Sequence, residues 1–165
     1  KQQNAAIKKI QEEEARKAAE EAKKKAAAAA ANKTTSRDTS YATVITNATG
    51  SALGKEIATY GCQFIGNPYV AGGTSLTQGA DCSGFTYAVY KSFGYTLPRN
   101  STDQRSAGSG VDFAQAQPGD LICYSGHVGM YIGDNKIVHA SSAKTGIKIT
   151  TATYRPIVAV RRIVS

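Results

Sequence analysis

An α+β fold, with helices first and an antiparallel sheet after them, is predicted by three observations. Leu53, Ile57, Tyr60, Phe64 and Ile65 recur at helical spacing, as do Phe85, Ala88, Val89 and Phe93, so each set marks one face of a helix. From Gln117-Pro118-Gly119-Asp120 onward, short apolar runs are separated by turn residues at hairpin spacing. The helical and strand patterns do not alternate along the chain, which points to α+β and not to α/β.

Taken in order, residues 1–31 are low in complexity, built from Lys, Glu, Gln, Arg and an alanine run from Ala26 to Ala31. These are good helix formers, but Ile7 and Ile10 are almost the only large apolar side chains, too few to make a core. The tail reads as an extra N-terminal solvated helix, the end of a coiled coil whose better heptads lie upstream. Residues 32–50, rich in Thr, Ser, Asn and Ala, read as a linker, either a reach-extending tether or a plain spacer. Ser51 opens a folded domain spanning 51–165, whose first helix runs to Gly66 and holds Cys62 in its core. Asn67-Pro68 stops that helix, and Gly72-Gly73 lets the backbone turn or approach a neighbour closely.

Asp81 is a natural N-cap for the second helix. Cys82 then occupies its first turn, among unpaired N–H groups and at the positive end of the helix dipole, both of which favour a thiolate. A cysteine there is a candidate nucleophile; the alternative is a small buried apolar residue. Residues 97–104 read as a loop and a short helix, and the strands follow at 121–124, 127–132, 136–140, 147–150 and 157–163.

The net charge of +8 is split, with +4 in residues 1–33 and +4 in residues 51–165. It permits a polyanionic partner without choosing one. No dense Lys/Arg cluster interleaved with aromatics appears, so nucleic-acid binding is disfavoured. Nor is any apolar run long enough to span a bilayer. The chain opens on Lys1 with no apolar signal core, so it reads as a fragment or processed form from which any targeting segment is absent. Cys62, Cys82 and Cys123 form no CxxC pair, and with only two histidines they make a poor zinc set. No metal or other cofactor is expected.

Both histidines, His127 and His139, fall in adjacent strands of one hairpin. Thiol chemistry needs a base that also protonates a leaving group, and the base works best when a third polar group fixes its ring. Cys82 and the two histidines can fill those three roles.

These residues belong to an ordered set: Asn67-Pro68-Tyr69-Val70-Ala71-Gly72-Gly73, Asp81-Cys82-Ser83-Gly84-Phe85, Leu97-Pro98-Arg99, Pro118-Gly119-Asp120-Leu121, Gly126-His127-Val128-Gly129-Met130-Tyr131-Ile132-Gly133 and Val138-His139-Ala140. The set resembles the NlpC/P60 cysteine peptidases over residues 51–165. The resemblance implies a papain-like fold and hydrolysis of peptidoglycan stem peptides at the D-γ-glutamyl–diamino acid bond through a thioester acyl-enzyme. It implies Cys82 as nucleophile, His127 as general base and acid, and His139 as the residue that orients His127. Tyr69 matches a tyrosine near the cleft that assists the oxyanion or binds substrate, and Asp81 and Ser83 take structural or substrate-binding roles. The expected partners are peptidoglycan or muropeptides, and the expected location is secreted or wall-associated. Ala71 stands where a bulky aromatic is common, and the Ser125-Gly126 connection is short; both bear on substrate preference. An N-acetylmuramoyl-L-alanine amidase or another acyl transferase on the same scaffold is the alternative enzyme, and a non-catalytic wall-binding module is the alternative outside enzymes.

Two expectations are geometric and electrostatic. The histidines meet only if facing residues of the hairpin have an even sum, because side chains alternate along a strand. A two-residue turn at Asp134-Asn135 pairs Gly133 with Lys136 and sends the histidines to opposite faces. A three-residue loop pairs Ile132 with Lys136 and sets Gly129 opposite His139, so an odd-length loop is expected, with Asn135 at positive φ. Cys82 is expected to titrate below a free thiol, with Cys62 and Cys123 poorly reactive.

Overall fold

The computed structural model describes residues 40–164. The solvated tail expected over residues 1–31 lies outside the described residues. Four α-helices are described, α1 (Ser40–Asn47), α2 (Ala52–Cys62), α3 (Cys82–Ser92) and α4 (Ser101–Gln104). The eight strands among the described residues are β1 (Thr74–Ser75), β2 (Gly79–Ala80), β3 (Ser109–Gly110), β4 (Leu121–Tyr124), β5 (His127–Gly133), β6 (Lys136–Ser142), β7 (Gly146–Thr151) and β8 (Ala159–Arg162). The main sheet has six strands in the order β3-β8-β4-β5-β6-β7, antiparallel throughout. The helices-then-sheet arrangement expected from the sequence is what is observed.

Both faces of the sheet are covered, which is why β4 is buried at all four positions. One face sends Leu121, Cys123, Val128, Met130, Ile132, Val138 and Ala140 against Ile57, Ala58 and Cys62 of α2 and Phe85 and Val89 of α3. The other joins Ile122, Tyr124, Ile137 and Val160 to Phe113, Tyr131 and Ile157. Helix α2 starts where Ser51 caps it, its hydroxyl accepting from Gly54 N at 3.0 Å.

The segment read as a linker is helical in its second half. Tyr41, Val44, Ile45 and Ala48 lie at i, i+3, i+4 and i+7, a short apolar stripe. Ile45 is only 2% exposed, and Gly133 at the end of β5 abuts Val44 and Ala48. The polar residues between these four disguise the stripe.

The β5–β6 hairpin reaches the expected parity by another route. Asp134 and Asn135 form a two-residue turn with φ of 50° and 57°, a primed turn whose twist suits the strands. Gly133 therefore pairs with Lys136, an odd sum. A bulge between Tyr131 and Gly133 then restores an even register, so Tyr131 faces Ile137 and Met130 faces Val138. The odd-length loop is thus corrected to a two-residue turn plus a bulge, with Asn135 at positive φ as expected. The histidines share a face, and Gly129 is cramped enough that a Cβ there would stand 2.7 Å from Ile137 Cδ1 and 3.2 Å from His139 Cβ.

Two polar contacts tie the sheet to its surroundings. The Tyr90 hydroxyl of α3 donates to Gly119 O. Asp120, almost fully buried, accepts from Arg162 Nε at 3.0 Å and Nη2 at 2.9 Å, and from Gln117 N at 2.9 Å. Removing the guanidinium leaves a buried carboxylate without its counter-charge. Arg162→Ala is therefore expected to cost about 3 kcal/mol of folding stability, read from the shift in denaturant midpoint at constant slope.

Candidate active site

Cys82 is the first residue of α3, and its place is set by the cap before it. Asp81 Oδ1 accepts from Gly84 N at 2.7 Å, closing the first turn. The same carboxylate takes Gly72 N at 2.9 Å on Oδ2 and a two-pronged contact from Arg99, Nη1 to Oδ1 at 3.1 Å and Nη2 to Oδ2 at 3.2 Å. Arg99 also donates to Ser83 Oγ at 2.9 Å and to Gly73 O at 3.3 Å. Burial alone would raise the Asp81 carboxyl; Arg99 and the Gly84 and Gly72 amides outweigh it and hold the group below the ordinary carboxylate range. The glycine loop and the helix start are in contact here, since a Cβ at Gly84 would sit 2.0 Å from Gly73 O. Behind them, the buried Gln104 side chain donates to Ser83 O at 3.1 Å and Pro98 O at 2.9 Å, and accepts from Thr86 Oγ1 at 2.7 Å.

Cys82 is 9% exposed. Burial pushes its pKa up, and the Asp81 charge adds to this, against the amides of Val128, Ser83 and Cys82 that pull it down. The net direction is upward, so the lowered thiol expected from the helix terminus is corrected: desolvation exceeds the pull of the N–H groups. The Val128 amide, near the start of β5, reaches the sulfur, so Cys82 lies against that end of the strand. Tyr69 lies within electrostatic reach of Cys82 and Asp81, and burial together with those two charges raises its phenol. Burial likewise raises Cys123, to about 11, and Cys62 further still.

The two histidines meet ring to ring. His127 Nε2 lies 2.7 Å from His139 Nδ1, and His139 Nε2 lies 2.8 Å from Thr150 Oγ1 on β7. Burial, with the Arg155 charge, lowers the His127 imidazole; burial, with the charges of His127, Lys148 and Arg155, lowers His139. An aromatic and cationic rim surrounds the pair. Tyr124 stands 6.0 Å from His127 and Tyr154 stands 5.7 Å from His139, between ring centroids. The Arg155 guanidinium lies 5.8 Å and 5.9 Å from those two tyrosine rings.

All six residues singled out in the sequence thus fall in two adjoining groups, Tyr69, Asp81, Cys82 and Ser83 at the helix start, and His127 and His139 on the sheet. Arg99 was visible in its Leu97-Pro98-Arg99 motif, but its hold on Asp81 was not. Thr150, Tyr124, Tyr154 and Arg155 carried no sequence signal, because only the strand register and the turn after β7 bring them to the histidines.

The buried imidazoles bear on stability. Both are neutral in the fold, with pKa values below the unfolded value near 6.5. As pH falls, the unfolded chain takes up protons first, so their contribution is complete above about pH 6.5 and is lost on descent towards the folded values, about 4 for His127. Urea midpoints are expected to fall between pH 7 and pH 4.5, with a smaller fall in His127→Gln.

The chain is similar to known proteins. The NlpC/P60 family profile matches residues 66–160. The chain is 38% identical over 107 residues to a γ-D-glutamyl-L-lysine dipeptidyl-peptidase of Bacillus subtilis (strain 168), covering 60% of this chain and 36% of that protein. It is 38% identical over 85 residues to the murein DD-endopeptidase MepS/murein LD-carboxypeptidase of Escherichia coli (strain K12), covering 48% of this chain and 45% of that one. The chain therefore spans less than half the length of either relative. Among solved structures, the NlpC/P60 domain of the peptidoglycan hydrolase SagA superposes with a TM-score of 0.60 at 30% identity, covering 66% of this chain and 97% of that one. With the profile spanning more than half of its residues, and with the Cys82 helix and the histidine hairpin inside the matched region, the chain belongs to the NlpC/P60 family.

Proposed function

We propose that the protein is a cysteine endopeptidase of peptidoglycan stem peptides, acting outside the cell membrane at the bond between the γ-carboxyl of D-glutamate and a diamino acid. The observation that carries this reading is the line of hydrogen bonds from His127 through His139 to Thr150, with the Val128 amide of the His127 strand reaching a cysteine at a helix start. The relatives named for γ-D-glutamyl-lysine and murein bonds support the substrate class.

The hydrogen-bond line can run in two directions. If Thr150 Oγ1 accepts from His139 Nε2–H, then His139 Nδ1 is bare and accepts from His127 Nε2–H. His127 Nδ1 is then bare and free to take a proton. If Thr150 donates instead, every role reverses and His127 Nδ1 carries a hydrogen. Only the first direction gives a base.

With both the thiol and the imidazole neutral at rest, the proton moves as the sulfur attacks. The Cys82 thiol proton passes to His127 Nδ1 while a carbon–sulfur bond forms at the scissile carbonyl. The oxyanion is met by the Cys82 amide, with Tyr69 assisting. The carbon–nitrogen bond then breaks as His127 returns the proton to the leaving amine, and the thioester remains. Water then gives one proton to His127 as its oxygen bonds to the thioester carbon; the carbon–sulfur bond breaks, the acyl part leaves as a carboxylic acid, and His127 returns the proton to the Cys82 sulfur. In this reading Asp81 and Ser83, locked to Arg99, present a fixed wall to the acyl side of the substrate.

Cys82→Ala is expected to lower hydrolysis of muropeptides by about 10⁴-fold or more while leaving the thermal midpoint close to wild type. The masses of the wild-type products identify the bond: cleavage after D-glutamate supports the endopeptidase, whereas release of intact stem peptides would make the protein an amidase. Thr150→Val is expected to reduce kcat about 10-fold with KM little changed, and Thr150→Ser to recover most of it. A fall in KM-linked binding alone would remove Thr150 from the relay.

A further inference from the structure

The turn after β7 places a cation beside the histidine pair with no counter-charge. Arg155 is exposed, yet it is not loose: Nη2 donates to Ser125 O at 2.7 Å, and its guanidinium rests on the rings of Tyr124 and Tyr154. Those rings are braced against each other with centroids 5.4 Å apart, and each also packs on a histidine. No carboxylate of the described residues pairs with Arg155; the ion pairs formed by Arg99 and Arg162 show what such a pairing looks like elsewhere in the fold. One guanidinium nitrogen is engaged, and the others remain able to donate.

A fixed positive charge here opposes the chemistry proposed above. His127 must become an imidazolium during the reaction, and Arg155 is the cation whose field acts on both imidazoles. An anion on Arg155 would relieve that opposition when substrate is bound. The side of the substrate follows from the proton's path. His127 delivers its proton to the leaving amine, so the leaving residue lies against His127, and Ser125, which anchors Arg155, is separated from His127 only by Gly126.

The geometry points to Arg155 as a binding site for a carboxylate carried by the residue on the leaving-group side of the scissile bond. The inference rests on the peptidase reading and deepens it, naming the substrate feature that this side of the cleft selects. Two sources supply that carboxylate: the second carboxyl of a diaminopimelate side chain, or the free C-terminus of a stem that ends at the diamino acid.

Three peptides separate these sources, each joined to γ-D-glutamate: lysine amide, lysine with a free C-terminus, and meso-diaminopimelate with its main-chain carboxyl amidated. Binding to Cys82→Ala is measured by titration calorimetry alongside hydrolysis by the wild-type protein, and both are repeated with Arg155→Gln. At least one carboxylate-bearing peptide is expected to exceed lysine amide about 10-fold or more in affinity and in kcat/KM, and the peptide that does so identifies the source. In Arg155→Gln that ratio is expected to collapse towards one. Equal binding of all three peptides to Cys82→Ala, or a preference that survives Arg155→Gln, would overturn the site. A carboxylate preference in binding, lost in Arg155→Gln, without hydrolysis of any peptide, would support the site while removing the peptidase reading.

Discussion

The contact between His127 Nε2 and His139 Nδ1 depends on one extra residue in β5. A primed two-residue turn is the connection that the twist of two antiparallel strands prefers, and Asp134-Asn135 suits it. Left alone, that turn would place the histidines on opposite faces of the sheet. The bulge beside Gly133 converts the register before either histidine is reached, and Gly129 leaves the room a Cβ would occupy. Helix α1 packs against the same bulged end, with Gly133 against Val44 and Ala48. Helix α1 thus braces the irregularity on which the histidine contact rests.

Opposing effects act on the reactive groups. The helix start offers Cys82 amide donors, and the tight cap and the covering sheet bury it. Burial wins, and the same burial lowers both imidazoles. A cysteine and a histidine shifted in these directions rest as a neutral pair. The role of Arg99 fits that balance: it satisfies the Asp81 carboxylate beside the sulfur, so this acidic neighbour stays ionised and held in place.

Much of this was legible because it is local. The capping of α3 by Asp81, the placement of Cys82, the hairpin holding both histidines and the positive φ of Asn135 all follow from residue type at short spacing. Helix α1 was missed because Thr, Ser and Asn separate its four apolar residues and dominate the composition. The bulge was missed because parity can be satisfied in two ways, and the choice depends on how the turn matches strand twist. Thr150 and Arg155 were missed for a different reason: each reaches the histidines only through the pairing of β6 with β7 and the turn beyond it, partnerships between residues far apart in the chain. The thiol's direction is not legible in the sequence, because a helix terminus can be read from it, whereas the depth at which that terminus is buried cannot.

A thiol kept protonated is a slow target for peroxide and for stray disulfides, because oxidants attack the thiolate. The desolvation that raises the Cys82 thiol acts in that direction. Cys62 and Cys123 are buried as well, so all three cysteines are enclosed by the fold and none is paired with another.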